Sequence, residues 1–300
     1  MTERKATLAI IAAGALWGCI SLFLRPLSAL GLSSLQIVAI RCGLAFLLMA
    51  GYLAARSPRL LRITPRDVPV LLGTGLVSLL LFSWCYFGAI KASGVAVAVV
   101  LLYTSPVFIL LLSAVLFHEP LTRRKLLALA LTAAGCVLVT GLLSSGERIG
   151  LTALLLGLGS GLFYALYSIF GRIALRRLDT MTITAYTFLF AALGALALCA
   201  FEQNPVPFSA ALTPAGIPAA LGIAFFACVL PYLFYTLGLS GVETGRAAIL
   251  VTVEPAVGAL IGFLVWHEAV TAQKLLGIVL IFSSILLLAK ADSGAEEKSR

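Results

Sequence analysis

Two stretches of the 300-residue chain, HEPLTRRK at residues 118–125 and HEAVTAQK at residues 267–274, share the pattern H-E-x-x-T-x-x-K. A zinc site on a helix would need a second histidine four residues after the first. Thr122 and Thr271 stand there, so the pattern lacks that ligand. A sentence written twice points instead to duplication. The copies are offset by 149 residues, and the same offset relates Pro106 to Pro255, Tyr86 to Tyr235 and Leu102 to Val251. An offset of 147 relates Gly14 to Gly161, Trp17 to Tyr164 and Arg25 to Arg172. The chain therefore divides into two related halves, residues 1–145 and 149–290, followed by a polar tail, 291–300, expected to be irregular.

Composition gives the medium in which these halves fold. Hydrophobic residues make up 61% of the chain, charged residues 11%, and the mean hydropathy is +1.11. Soluble domains are nearer half apolar and a quarter charged. So much apolar surface needs lipid as solvent, and the runs are continuous rather than alternating, which excludes a β-barrel. Reading apolar runs between polar breaks predicts an all-α integral membrane protein with ten spans. They cover residues 6–27, 33–55, 67–90, 94–117, 123–143, 149–173, 180–201, 213–238, 245–266 and 272–289. The N-terminus MTERK runs straight into the first of these without a cleavage signal, so it is read as a span. The six cysteines lie inside apolar runs with no metal spacing and are read as packing residues.

The net charge of +9 would suggest nucleic acid in a soluble protein, but here its placement matters more. With the N-terminus inside, 16 Lys and Arg fall in inner segments and four (Arg25, Lys91, Arg148, Lys274) in outer ones. Both termini are therefore expected in the cytoplasm. Five spans per half force the halves to enter the membrane in opposite directions, an inverted repeat of the kind secondary transporters use for alternating access. Glu119 then ends the fourth span inside and Glu268 ends the ninth outside.

At this point GALWG (14–18), IRCGLAFLL (40–48), YTSP (103–106) with FHEPLT (117–122), and VEPAV (253–257) with WHE (266–268) together resemble the drug/metabolite transporter superfamily, of the ten-helix EamA type. The family's glutamate after the fourth and ninth spans matches Glu119 and Glu268, whereas His118 and His267 replace its usual small residue. The resemblance implies export of amino acids, aromatic ones included, or related metabolites across the bacterial inner membrane.

The residues themselves mark out a candidate site. Glu254 lies about 12 Å into its span. An ionisable group at that depth lines a cavity or pairs with another charge. It is read either as touching substrate or carrying a coupling proton, or as a buried carboxylate tying helices together. Its repeat mate by the 149 offset is Ser105. Pro106 and Pro255 follow these two as hinge candidates. Arg41, at a similar depth, must also find a partner, and Glu254 is one candidate. The aromatics Trp17, Trp84, Tyr103, Tyr164, Tyr232 and Tyr235 are candidates to line an interior cavity, core packing being the rival for each. Gly14/Gly18 and Gly157/Gly161 are spaced for close helix contact. Glu119 and Glu268 are read as helix-end clasps on the first turn of the next helix, or as gate residues at opposite mouths.

No Walker motif, H-E-x-x-H or G-x-S-x-G is present. The reading is a secondary carrier for a small metabolite, not an enzyme, without cofactor, metal or nucleic-acid partner. It has the lipid bilayer as surroundings and a monomer as default state. The alternative is a membrane sensor or assembly partner that kept the carrier fold.

Overall fold

The computed structural model describes residues 2–145, 149–202, 205–269 and 271–297. Arg148, Lys298 and Arg300, three of the charges used for orientation, lie outside the described residues. Among the described residues the regular structure is entirely helical. The longer segments are α1 (Glu3–Ala29), α2 (Ser34–Arg56), α3 (Val68–Ser93), α4 (Val95–Phe117), α5 (Arg123–Thr140), α6 (Leu151–Ala174), α7 (Thr180–Cys199), α8 (Gly216–Leu239), α9 (Thr244–Trp266) and α10 (Ala272–Glu297).

Eight of these, α1–α4 and α6–α9, are long and apolar enough to cross a membrane. The expected spans at 123–143 and 272–289 form helices of a different make. Helix α5 spends the first turn of its 18 residues on Arg123, Arg124 and Lys125, and the apolar part of α10, Ala272–Leu288, is shorter than the others. The backbone of α10 continues to Glu297, past the point where its polar composition led us to expect an irregular tail.

The duplicated motif is a helix–turn–helix corner. His118 and His267 end α4 and α9 in the left-handed region, at φ 56° and 54°, a conformation that bends the chain out of the helix. The next amide, of Glu119 or Glu268, donates back to the carbonyl of Ser113 or Gly262. Thr122 and Thr271 then N-cap the following helix, their hydroxyls accepting from the amides of Lys125 and Lys274. The shared residues His, Thr and Lys thus write the turn. The glutamates, treated below, do something else.

Helix α1 packs against α8 and α9, and α6 against α3 and α4. Helices α2 and α7 pair with each other, as do α5 and α10. Both of these pairs run antiparallel. Ser33 at the start of α2 meets Glu202 beyond the end of α7 at 2.8 Å, and Leu61 beyond the end of α2 meets Tyr186 in α7's second turn at 2.6 Å. Between α5 and α10, Thr132 bonds Ser284 while Gly135 touches Gly277.

Helix α1 is interrupted at Cys19–Ile20. Two further breaks match across the halves, in α4 at Tyr103–Thr104 and in α9 at Val251–Thr252. In each case the threonine hydroxyl bonds the carbonyl three residues back, Leu101 at 2.6 Å and Ile249 at 2.5 Å. Pro106 and Pro255 fall in the first turn of the pieces that follow, where a missing N–H costs no ladder bond. The bend therefore sits just before each proline. The two breaks are one residue closer in sequence than the two histidine ends, because the second piece of α9 has 14 residues against 13 in α4. Counted from the breaks, Glu254 stands opposite Pro106, not Ser105, which is buried at the head of its helix. Glycines let other helices reach these breaks. Gly14 of α1 lies on α9's break, where an added Cβ would sit 2.4 Å from the Val251 carbonyl oxygen, and Gly161 of α6 lies on α4's break, where it would sit 2.6 Å from the Thr104 hydroxyl.

Candidate functional site

The breaks face a cavity of about 360 Å³. It runs from Glu254 and Pro255 at α9's break to Glu268 and Lys274 beyond α9's end, and Trp17, Tyr86, Tyr103, Trp266 and Arg25 line it. The half-buried Glu254 carboxylate has no hydrogen-bond or ion-pair partner among the described residues. Tyr86 and Tyr103 line the cavity with it. A carboxylate held at a helix interruption, with tyrosines around it and no protein cation, is equipped to take a cationic group or a proton from the cavity.

An aromatic cluster closes the inner end. Trp17 belongs to both, with ring centroids 5.1 Å from Tyr232, 5.6 Å from Tyr235 and 6.5 Å from Tyr164. The space among these rings is about 10 Å³, too small for a solute. Tyr235 is a core residue here, its hydroxyl 2.8 Å from Ser168 of α6. The neighbouring Tyr167 bonds Thr236 of α8 at 2.7 Å.

Two candidates lie elsewhere. Trp84 is 52% exposed and lines a separate cavity with Ser28, Lys91 and Glu202, which Glu254 does not border. Arg41 does not pair with Glu254. Its guanidinium lies between α2, α3 and α8, 3.5 Å from the Ser83 hydroxyl and beside Cys42, Cys228 and Tyr232. Its Nε has no partner among the described residues. Trp84→Ala should therefore leave transport within about twofold of wild type, as substitutions outside packed or bonded positions do. Solute flux in reconstituted vesicles checks this.

The two motif glutamates have different partners. Glu119 is 9% exposed and accepts from the amides of Thr244, at 2.7 Å, and Gly245, at 2.9 Å. These open α9, in the other half of the chain, so the clasp is not on the next helix as sequence position suggested. The next helix is already capped by Thr122, and α9's N-terminus offers free N–H groups and a positive dipole end. Lys125 completes this closed corner through its ion pair with Glu243 at 2.6 Å.

Glu268 is 40% exposed and bonds Arg25 at 2.5 Å, with Lys274 at 3.6 Å. Arg25 in turn stacks over the Trp266 ring, 4.6 Å from its centroid. The hydrogen bond from Arg25 holds the Glu268 carboxyl below its ordinary range, with Lys274 adding to the effect. A depressed carboxyl keeps its charge from neutral pH down through the usual glutamate range, so the pair persists there and is lost only as pH falls through the lowered value. Arg25→Gln should raise the pH at which Glu268 takes up its proton toward the ordinary glutamate range, read from the carboxylic C=O band in an infrared titration against Glu268→Gln.

Sequence reading missed Tyr86, Arg25, Trp266 and Lys274 as site residues. Arg25 and Lys274 were visible as two of the four outer cations, but nothing in the sequence placed them against Glu268.

A sequence profile described as the EamA-like transporter family matches residues 4–141 and again 151–290. The chain is similar to an uncharacterized transporter of Archaeoglobus fulgidus, 29% identical over 95% of this chain and 96% of that one. It is also similar to the uncharacterized transporter YwfM of Bacillus subtilis, 27% identical over 69% and 68% of the two chains. A probable amino-acid metabolite efflux pump of Salmonella typhimurium is 26% identical over 84% of this chain and 89% of that one. A solved crystal structure shares the fold, with a TM-score of 0.81 over 94% of this chain and 95% of that chain at 20% identity.

Proposed function

The chain belongs to the EamA-like transporter family, and from that premise we propose that it is a secondary carrier that exports amino acids or related small metabolites by alternating access. The observation that carries the proposal is the cavity at the two helix breaks, with an unpaired carboxylate at its inner end and a cation pair at its mouth. An amino acid carries one charge for each end. Glu254 would receive the ammonium, the aromatic faces of Trp17 and Tyr103 would hold the side chain, and Arg25 and Lys274 would lie on the side of the carboxylate. The Salmonella relative's name supports this solute class.

Ten spans in two inverted five-helix halves, 1–145 and 149–290, are part of the same proposal, with α5 and α10 crossing as a pair. Three observations support it. The family profile matches twice, the principal helix pairs described above map onto one another when the two sets of five are exchanged, and the self-paired helices are antiparallel. An exchange that sets α2 antiparallel to its counterpart α7 needs an axis across the helices, which for membrane spans lies in the membrane plane. In this proposal both termini lie on the cytoplasmic side, which the charge bias supports, and the membrane is the inner membrane, as the resemblance to the family implies. The Glu119 mouth then faces the cytoplasm, closed, and the Glu268 mouth faces outward, open. We take the carrier to act as a monomer.

Counterflow tests the function. Purified protein in vesicles preloaded with a mixture of amino acids and small metabolites should exchange one class of solute, identified by mass spectrometry. Exchange no faster than in protein-free vesicles, with the protein folded and monodisperse, would count against a carrier for these solutes.

A further inference from the structure

The closed corner is a template for what the open corner becomes. Glu119 and Glu268 are repeat mates at the 149 offset. At the same offset Thr244 and Gly245, whose amides Glu119 holds, correspond to Val95 and Ala96, the first residues of α4. The amides of Val95 and Ala96 have no acceptor among the described residues, and the N-cap residue of that helix, Gly94, has no side chain to offer one. Val95 lines the same cavity as Glu268. A carboxylate with a matching pair of open amides across one cavity is a closed contact not yet made.

We propose that Glu268 is a gate carboxylate with two docks, Arg25 and Lys274 in the described state and the Val95 and Ala96 amides in the opposite one, and that Glu119 releases Thr244 and Gly245 as Glu268 closes. The proposal deepens the carrier reading and rests on it. Arg25 has a second dock by the same template. Its mate Arg172 donates to the carbonyls of Leu239 and Val242 at the end of α8, whose counterparts close α3. Lys274 has no carboxylate there. Its mate Lys125 donates to the Pro120 carbonyl and pairs with Glu243, but Gly94 stands at the position corresponding to Glu243. Closing the outer gate therefore strands one ammonium inside a shrinking cavity, which is unfavourable unless an anion joins it. Lys274 is thus the cation that an acid group of the solute meets, and closure without such a solute is suppressed.

Hydrogen–deuterium exchange on the whole protein in vesicles reads the two corners directly, without any transported solute. In wild type, peptides opening α9 should be protected and those opening α4 should exchange. Lys274→Gln removes the stranded charge and loosens Glu268. It should raise protection at Val95–Ala96 and lower it at Thr244–Gly245 together, at least severalfold at each. Glu268→Gln in that background should reverse the gain at α4. Unchanged protection in Lys274→Gln, or both corners moving in the same sense, overturns the gate. Either result leaves the carrier itself to be judged by counterflow.

Discussion

Replacing Gly14 with leucine should leave the protein unable to assemble its helices natively. At Gly14 a Cβ would lie 2.4 Å from the Val251 carbonyl oxygen and 2.7 Å from a Val253 methyl. The first of these is backbone at α9's break, tied by the Thr252 hydroxyl to Ile249. It cannot swing aside as a side-chain end could. Overpacking typically costs about 1–3 kcal/mol, and more where backbone must move. Here the cost falls on the contact between α1 and α9, which also carries Trp17 against the cavity. We expect loss of the monodisperse peak in detergent, or a melting temperature many degrees below wild type. Gly43→Ala is the control, because nothing lies within 4 Å of that site. It should be tolerated, with up to about 1 kcal/mol gained in helix propensity. A Gly14→Leu protein that melts with wild type would refute the close approach.

The same eight-residue motif should give two very different alanine variants. Glu119→Ala leaves the buried amides of Thr244 and Gly245 without their acceptor. An unsatisfied buried polar group costs about 1–3 kcal/mol, so two give several. Glu268→Ala removes an ion pair whose side chains are 50% and 40% exposed. Such pairs are worth about 0–1 kcal/mol. Thermal unfolding of the two variants side by side should show a large drop for the first and a small one for the second. Equal drops would mean that the corners are equivalent and that the asymmetry described above is wrong.

Much of the fold could be read directly. Continuous apolar runs give helix limits to within about three residues for α1 through α9, since lipid leaves the backbone no alternative to internal bonding. The glycines at 14 and 161 announced their roles by spacing alone. Partners across the halves were another matter. Glu119 looked like a cap for its own next helix because sequence shows neighbours, and its true partners lie 125 residues away. Glu254, Trp17 and Tyr103 were legible as site candidates through depth. Trp84 was not separable from them, because which way a residue faces on a uniformly apolar helix leaves no pattern. The one-residue shift that sets Glu254 opposite Pro106 is likewise silent until the helix breaks are seen.

The most direct test of the central claim is counterflow with Glu254→Gln beside wild type, at matched protein content and with melting curves to show that both fold. Glutamine keeps the size and removes the charge at the cavity's inner end. The carrier account expects exchange of the identified solute to fall at least tenfold in the variant while its melting temperature stays near wild type. Exchange at the wild-type rate in a folded Glu254→Gln protein would contradict it, and would move the site away from the cavity at the two breaks.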